Sequence, residues 1–127
     1  MRFQNKLFIG GEFVDALDGA TIEVVNPFDG SILTRVAEAK AADVDRAVDA
    51  AAKAFPAWRA TPAMQRGRLL GKLADAIEAN AEELAQIESL DTGHPIRDTR
   101  GLDVPRTAVT FRYFAGMADK VQGSVVP

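Results

Sequence analysis

The residues able to do chemistry in this 127-residue chain are few: it has no cysteine and a single histidine, His94. Within these residues a thiolate nucleophile, a thiolate metal site and a disulfide are therefore excluded, as is a metal site built on several histidines. No Ser-His-Asp order with plausible support occurs, and neither does a G-x-G-x-x-G or a P-loop. What remains is His94 and a set of carboxylates. His94 lies in Leu90-Asp91-Thr92-Gly93-His94-Pro95, just past an expected helix end. A protonated imidazole there is favoured by the negative end of the helix dipole, a structural role to weigh against a catalytic one. Asp91 is the opposite case. The dipole disfavours a carboxylate at that end, so Asp91 wants a cation or backbone donors, and structural and ion-linked readings both stand.

The other candidates have plainer readings. Asp43/Asp45 and Glu82-Glu83 are expected on solvated helix faces, where exposed carboxylates seldom do chemistry. Gly10-Gly11 could suggest a phosphate cradle, but the residues after it read as strand, which makes it a hairpin turn. Trp58 is expected to anchor core. Phe111-Arg112-Tyr113-Phe114 is expected to pack a helix rather than stack bases.

The elements that must position these residues follow from periodicity. Leu7-Phe8-Ile9 and Glu12-Phe13-Val14 flank the Gly-Gly turn as strands. Thr21 to Val25 is β-branched, Asn26-Pro27-Phe28-Asp29-Gly30 is dense in turn signals, and Ser31 to Val36 returns as a fourth strand. Two hairpins in a small antiparallel meander are expected. After Glu38 the period changes to 3.6. Val44, Ala47, Val48, Ala51 and Phe55 form one helical stripe, and Pro56 is expected to end it. Thr61-Pro62 predicts a hydroxyl N-cap followed by proline at the first helical position. Leu69, Leu70, Leu73 and Ile77 then face inward, with Arg66, Arg68, Lys72, Asp75 and Glu78 on the wet side. Asn80 with Glu83 resembles a capping box, and Gly93 suits a helix C-terminus. A last helix spans about Ile96 to Ala118, with Pro105 kinking it or opening its second segment. Val121 onward begins to read as a strand.

Composition bounds the rest. Alanine supplies 22 residues, so the core is expected to rest on scattered Leu, Ile, Val and Phe. A net charge of −3, spread evenly, provides no basic face for nucleic acid. No apolar run is long enough for a bilayer span or a signal sequence, and a cytoplasmic protein is expected. The strands lack a partner segment and no closing element follows them. The chain reads as the front part of something larger.

Seven segments, in order and over nearly the whole chain, are similar to the N-terminal part of the NAD(P)-dependent aldehyde dehydrogenase family. They are Phe8–Val14, Val24-Val25-Asn26-Pro27, Asp43–Val48, Ala54–Arg59, Arg68-Leu69-Leu70 with Leu73-Ala74-Asp75, Leu90–Gly93 and Arg112–Gly116. The resemblance implies an α/β enzyme of which this is the N-terminal part only, a small antiparallel β meander followed by about four helices. Residues 1–38 would be a β-hairpin region. Residues 39–127 would be a helical region packing on a dinucleotide-binding domain further along. It implies oxidation of an aldehyde to an acid through a Cys thiohemiacetal, with NAD or NADP in the complete enzyme. The catalytic and cofactor-binding residues of the family have no counterpart here, so the chain alone is expected to be inert and to bind no nucleotide. The resemblance also implies a monovalent cation, Na+ or K+, held by the carbonyls of Val24 and Val25 and by Asp91. It places Leu102 and Arg106 near the mouth of the substrate tunnel. Arg106 departs from the apolar residue common there, and His94 replaces the usual lysine. The complete enzyme would be a homodimer or homotetramer acting on a small-molecule aldehyde, with no membrane or nucleic-acid partner.

Two other readings are carried beside it. One is a non-enzymatic α+β interaction module that pairs with a partner subunit. The other is the same scaffold serving an acyl-CoA-forming reaction.

Overall fold

Gly10 and Gly11 take φ of 63° and 90°, the left-handed pair that a two-residue hairpin turn requires and that only glycine adopts without strain. They join β1 (Leu7–Ile9) to β2 (Glu12–Val14) in the register Leu7↔Val14, Phe8↔Phe13, Ile9↔Glu12. The rings of Phe8 and Phe13 face across this ladder with centroids 5.0 Å apart. The computed structural model describes residues 3–125. They fall into two units: one up to Ala60 with Leu90–Gly93, the other made of Thr61–Ser89 and His94 onward.

In the first unit β3 (Thr21–Val25) pairs antiparallel with β4 (Ile32–Ala37), from Thr21↔Ala37 to Val25↔Ile32, with a bulge between Val24 and Val25. The turn between them is built by Asn26. It is buried, its side-chain oxygen accepts the Phe28 N–H at 3.0 Å, and its carbonyl accepts the Gly30 N–H at 2.8 Å. The expected meander is thus two separate two-stranded ladders, β1-β2 and β3-β4. The polar Asp15–Ala20 loop that joins them carries its own turn, in which Gly19 N–H meets the Ala16 carbonyl at 2.9 Å.

α1 (Ala41–Ala60) runs through Pro56 instead of stopping there. A proline inside a helix leaves the carbonyl four residues back without its donor. Residues 51–60 are all exposed, so water can satisfy that carbonyl and the last turn survives. Trp58, expected in the core, is 46% exposed. Asp43, expected on the wet face, is 1% exposed. Its Oδ2 accepts the Lys40 N–H at 3.1 Å and its Oδ1 accepts the Leu17 N–H at 3.0 Å. One carboxylate therefore caps the helix start and ties the preceding loop to it.

In the second unit α2 (Ala63–Ala79) begins one residue later than expected. Pro62, at φ −54° and ψ 142°, is itself the N-cap, and no side chain caps the helix. The Thr61 carbonyl instead accepts the Arg66 guanidinium at 2.5 Å, which takes Arg66 off the wet face. A single residue, Asn80, separates α2 from α3 (Ala81–Thr92). It closes the helix behind it, its amide nitrogen donating to the Ala76 carbonyl at 2.8 Å, and it opens the next, its own carbonyl accepting the Leu84 N–H at 3.0 Å. α4 (Ile96–Asp98) passes through a π-helical turn, Thr99–Asp103, into α5 (Val104–Met117). Pro105 sits in the first turn of α5, where its missing N–H is one of the unpaired donors anyway.

The buried apolar side chains are small: Ala16 in the first unit, and Ala74, Ala85, Val104 and Ala108 in the second. The expected Leu-Ile-Val-Phe core is absent from these residues, and Leu69 and Leu73 are 48% and 42% exposed. What packs tightly is α2 on α5. A Cβ added at Gly67 would come within 2.6 Å of the Ala115 carbonyl oxygen. Across the same pair Arg112 binds Asp75 at 2.7 Å and also Glu78. Residues Val121–Val125 are without regular structure, so the expected strand is not formed there. The last two residues of that stretch, Val126 and Pro127, lie outside the described residues.

Candidate functional site

His94 is placed by backbone on both sides. Gly93, at φ +75°, ends α3 in the left-handed conformation, and Ser89 Oγ donates to the His94 carbonyl at 2.7 Å. The ring then meets a carboxylate that the sequence did not single out. His94 Nδ1 is 2.7 Å from Asp103 Oδ2. Glu88, from α3, completes a trio whose donor atoms all lie within 4.8 Å of one another. Asp103 is the last residue of the π turn, and its Oδ2 is buried yet accepts no hydrogen bond. The turn itself is anchored by Thr99, which is fully buried and donates to the Ala85 carbonyl at 3.1 Å. Nothing in the spacing of Glu88 and Asp103 marks them, because isolated carboxylates on helices are common. Only the return of the chain through α4 brings them to His94.

Leu102 and Arg106 are both exposed, on the π turn and the first turns of α5. Arg106, together with Glu88, Asp103, Thr107, Thr110 and Phe111, lines a shallow cavity of about 360 Å³. It is the one guanidinium in that lining, among two carboxylates and two hydroxyls.

Val24, Val25 and Asp91 fall in the first unit. The β-bulge lies between Val24 and Val25, and a bulge interrupts ladder pairing where it occurs. Asp91 lies in the last turn of α3 and is exposed. The end of α3 comes directly against the turn after β3: a Cβ added at Gly93 would lie 2.9 Å from Pro27 Cγ. The helix end and the Asn26-Pro27 turn are therefore neighbours, as a shared cation would need. Of the remaining candidates, Glu82 is paired with Arg100 at 2.7 Å, and Gly10-Gly11 is a hairpin turn.

The aldehyde dehydrogenase family model matches residues 13–127. The mitochondrial aldehyde dehydrogenase of Leishmania tarentolae is 49% identical over 124 residues, which are 98% of this chain and 25% of that protein. Human cytosolic 10-formyltetrahydrofolate dehydrogenase is 48% identical over an alignment of 129 residues, covering 100% of this chain and 14% of that protein. The crystal structure of PnpE from Pseudomonas sp. WBC-3 superposes with a TM-score of 0.94 at 69% identity, over 98% of this chain and 26% of that one. PnpE has also been crystallised in complex with nicotinamide adenine dinucleotide. The chain spans between 14% and 26% of the length of these proteins.

Proposed function

Since the chain belongs to the aldehyde dehydrogenase family, we propose that it forms the N-terminal scaffold of an enzyme that oxidises an aldehyde to a carboxylic acid with NAD(P)+. The reaction consumes one aldehyde, one water and one NAD(P)+ and yields one carboxylic acid, one NAD(P)H and one proton. The cofactor supplies the hydride acceptor. The carbonyl is attacked by a thiolate that these residues, lacking cysteine, do not provide. This chain's share is positional. The carbonyls of Val24 and Val25 and the carboxylate of Asp91 hold a monovalent cation. That cation offsets the unfavourable dipole at the end of α3 and pins it to the turn after β3.

Leu102 and Arg106 border the path of the substrate. Arg106 gives that border a positive charge, which favours aldehydes carrying a carboxylate or other polar group. The observation that carries the reading is the 69% identity to PnpE over 98% of the chain, far beyond what a shared fold alone requires.

The test has two arms. The 127-residue chain mixed with NAD+ and assorted aldehydes should produce no NADH above blank; clear turnover would overturn the assignment of the chemistry to other residues. In the complete enzyme carrying this segment, Arg106→Met should lower kcat/KM for acidic aldehydes roughly tenfold or more, a loss typical of one charged contact. Unchanged acidic-substrate kcat/KM would remove Arg106 from the specificity path. A complete protein without aldehyde oxidation would leave the interaction-module reading in its place.

A further inference from the structure

We propose that His94 is a positioning residue for substrate selection: it holds the Asp103 carboxylate in an ion pair and so leaves the Arg106 guanidinium free for the carboxylate of an acidic aldehyde. The inference rests on the reading of Arg106 as bordering the substrate path. The cavity at Arg106 limits what can be recognised there. Its lining is Glu88, Asp103, Arg106, Thr107, Thr110 and Phe111. Thr107 Oγ1 donates to the Asp103 carbonyl at 2.9 Å, and Thr110 Oγ1 donates to the Arg106 carbonyl at 2.8 Å. A hydroxyl has one proton, so both threonines have committed theirs to backbone and can only accept from a ligand. The two carboxylates are acceptors as well. Arg106 is therefore the side-chain donor that this lining offers to an incoming anion.

Nearby guanidiniums are claimed by carboxylates. Arg97, Arg100 and Arg112 of the same unit pair with Asp98, Glu82 and Asp75. Arg106 has no ion pair among the described residues. Yet Asp103 lies three residues before it, the spacing at which side chains on a helix are neighbours. What occupies Asp103 is His94, whose Nδ1 stands 2.7 Å from Oδ2. His94 is not itself in the cavity lining and reaches the cavity through Asp103. Glu88, the other carboxylate of the lining, has an oxygen within 4.8 Å of the same imidazole. One ring thus draws both acidic groups away from the guanidinium. The arrangement is held from behind: Ser89 fixes the His94 carbonyl, and Thr99 pins the π turn to α3. An apolar side chain in place of His94 releases Asp103 toward Arg106, where an intramolecular ion pair competes with the substrate carboxylate.

The experiment uses the complete enzyme carrying this segment. It reads the ratio of kcat/KM for a carboxylated aldehyde, 4-oxobutanoate, to that for an uncharged one of the same length, butanal. His94→Leu should lower this ratio roughly threefold, through KM for 4-oxobutanoate more than through kcat, the loss expected from one competing exposed ion pair. His94→Lys keeps a cation opposite Asp103 and should restore the parent ratio. In an Arg106→Met background His94→Leu should cause no further fall, since the group it acts through is gone. Asp103→Asn removes the competing charge without touching His94 and should not lower the ratio, which tests the inference even where His94→Leu does not fold. An unchanged ratio in folded His94→Leu, no recovery in His94→Lys, an equal fall in the Arg106→Met background, or a roughly threefold fall in Asp103→Asn would each overturn the inference. If Arg106→Met alone still lowers the ratio, the reading of Arg106 stands without His94; if it does not, both are overturned.

Discussion

Asp43 and Asp45 have the same chemistry and lie two residues apart, yet they do different work. Asp43 is buried with both oxygens occupied by backbone donors, while Asp45 is exposed. Asp43→Ala strands the N–H groups of Lys40 and Leu17, and an unsatisfied part-buried donor costs about 1–3 kcal/mol. Asp45→Ala should stay within about 0.5 kcal/mol of the parent. Urea midpoints of the two variants, compared with the parent, measure the difference; equal midpoints would show that Asp43 ties nothing. Glu82 illustrates a charge effect instead. The Arg100 guanidinium, bound to it at 2.7 and 2.8 Å, and then Gln86, bound at 2.7 Å, lower its pKa from 4.5 to about 2. Because the folded value lies below the unfolded one, this pair stabilises fully above about pH 4.5, and the contribution disappears as pH falls toward 2. Glu82→Gln should therefore lie below the parent in stability at pH 7, with the gap closing between pH 4.5 and 2. A gap that stays constant with pH would refute the linkage.

The elements are defined by close approach more than by bulk. α2 meets α5 at Gly67, and Ala74 on α2 and Ala108 on α5 are fully buried, small residues of the kind that let two helix backbones come near. Gly67→Ala must push a methyl to 2.6 Å from the Ala115 carbonyl oxygen and 3.3 Å from Ala118 Cβ, so a loss of about 1–3 kcal/mol is expected. Gly71, on the same helix, has nothing within 4 Å of its added Cβ. Gly71→Ala should raise stability by about 0.5–1 kcal/mol through helix propensity alone. Thermal melts of this pair separate packing from propensity, and two shifts of the same sign would refute the contact. Element boundaries show the same logic. The periodicity of α1 and α2 is visible in the residues, but the start of α2 is not where Thr61 suggests: Pro62 takes the cap position. Asn80 does stand directly before α3, and its side-chain amide also reaches back to the Ala76 carbonyl.

At the scale of the molecule the apolar stripes exist but are not covered within the described residues. Phe8, Val48, Phe55 and Phe114 are 64%, 60%, 57% and 56% exposed, and Phe28 is 91% exposed. Scattered exposed apolar residues are ordinary, but so many large ones invite association. The chain should bind a hydrophobic dye such as ANS and sediment with a mass that rises with concentration. A monomer at all concentrations, without dye binding, would refute this. No helix among the described residues is long and apolar enough to cross a membrane.

What the residues determined by themselves was local and chemical. A glycine pair set the hairpin turn, a 3.6-residue period set the helices, and the lack of cysteine excluded a thiolate from these residues. Ordered motifs, such as Leu90-Asp91-Thr92-Gly93 and Val24-Val25-Asn26-Pro27, were legible as a family because they survive as short strings. The tertiary structure decided which carboxylates matter. Asp43 is buried because a loop 26 residues earlier needs its oxygen, and Asp103 meets His94 because a π turn brings it there. Both depend on contacts between residues distant in sequence, which no local period or propensity encodes.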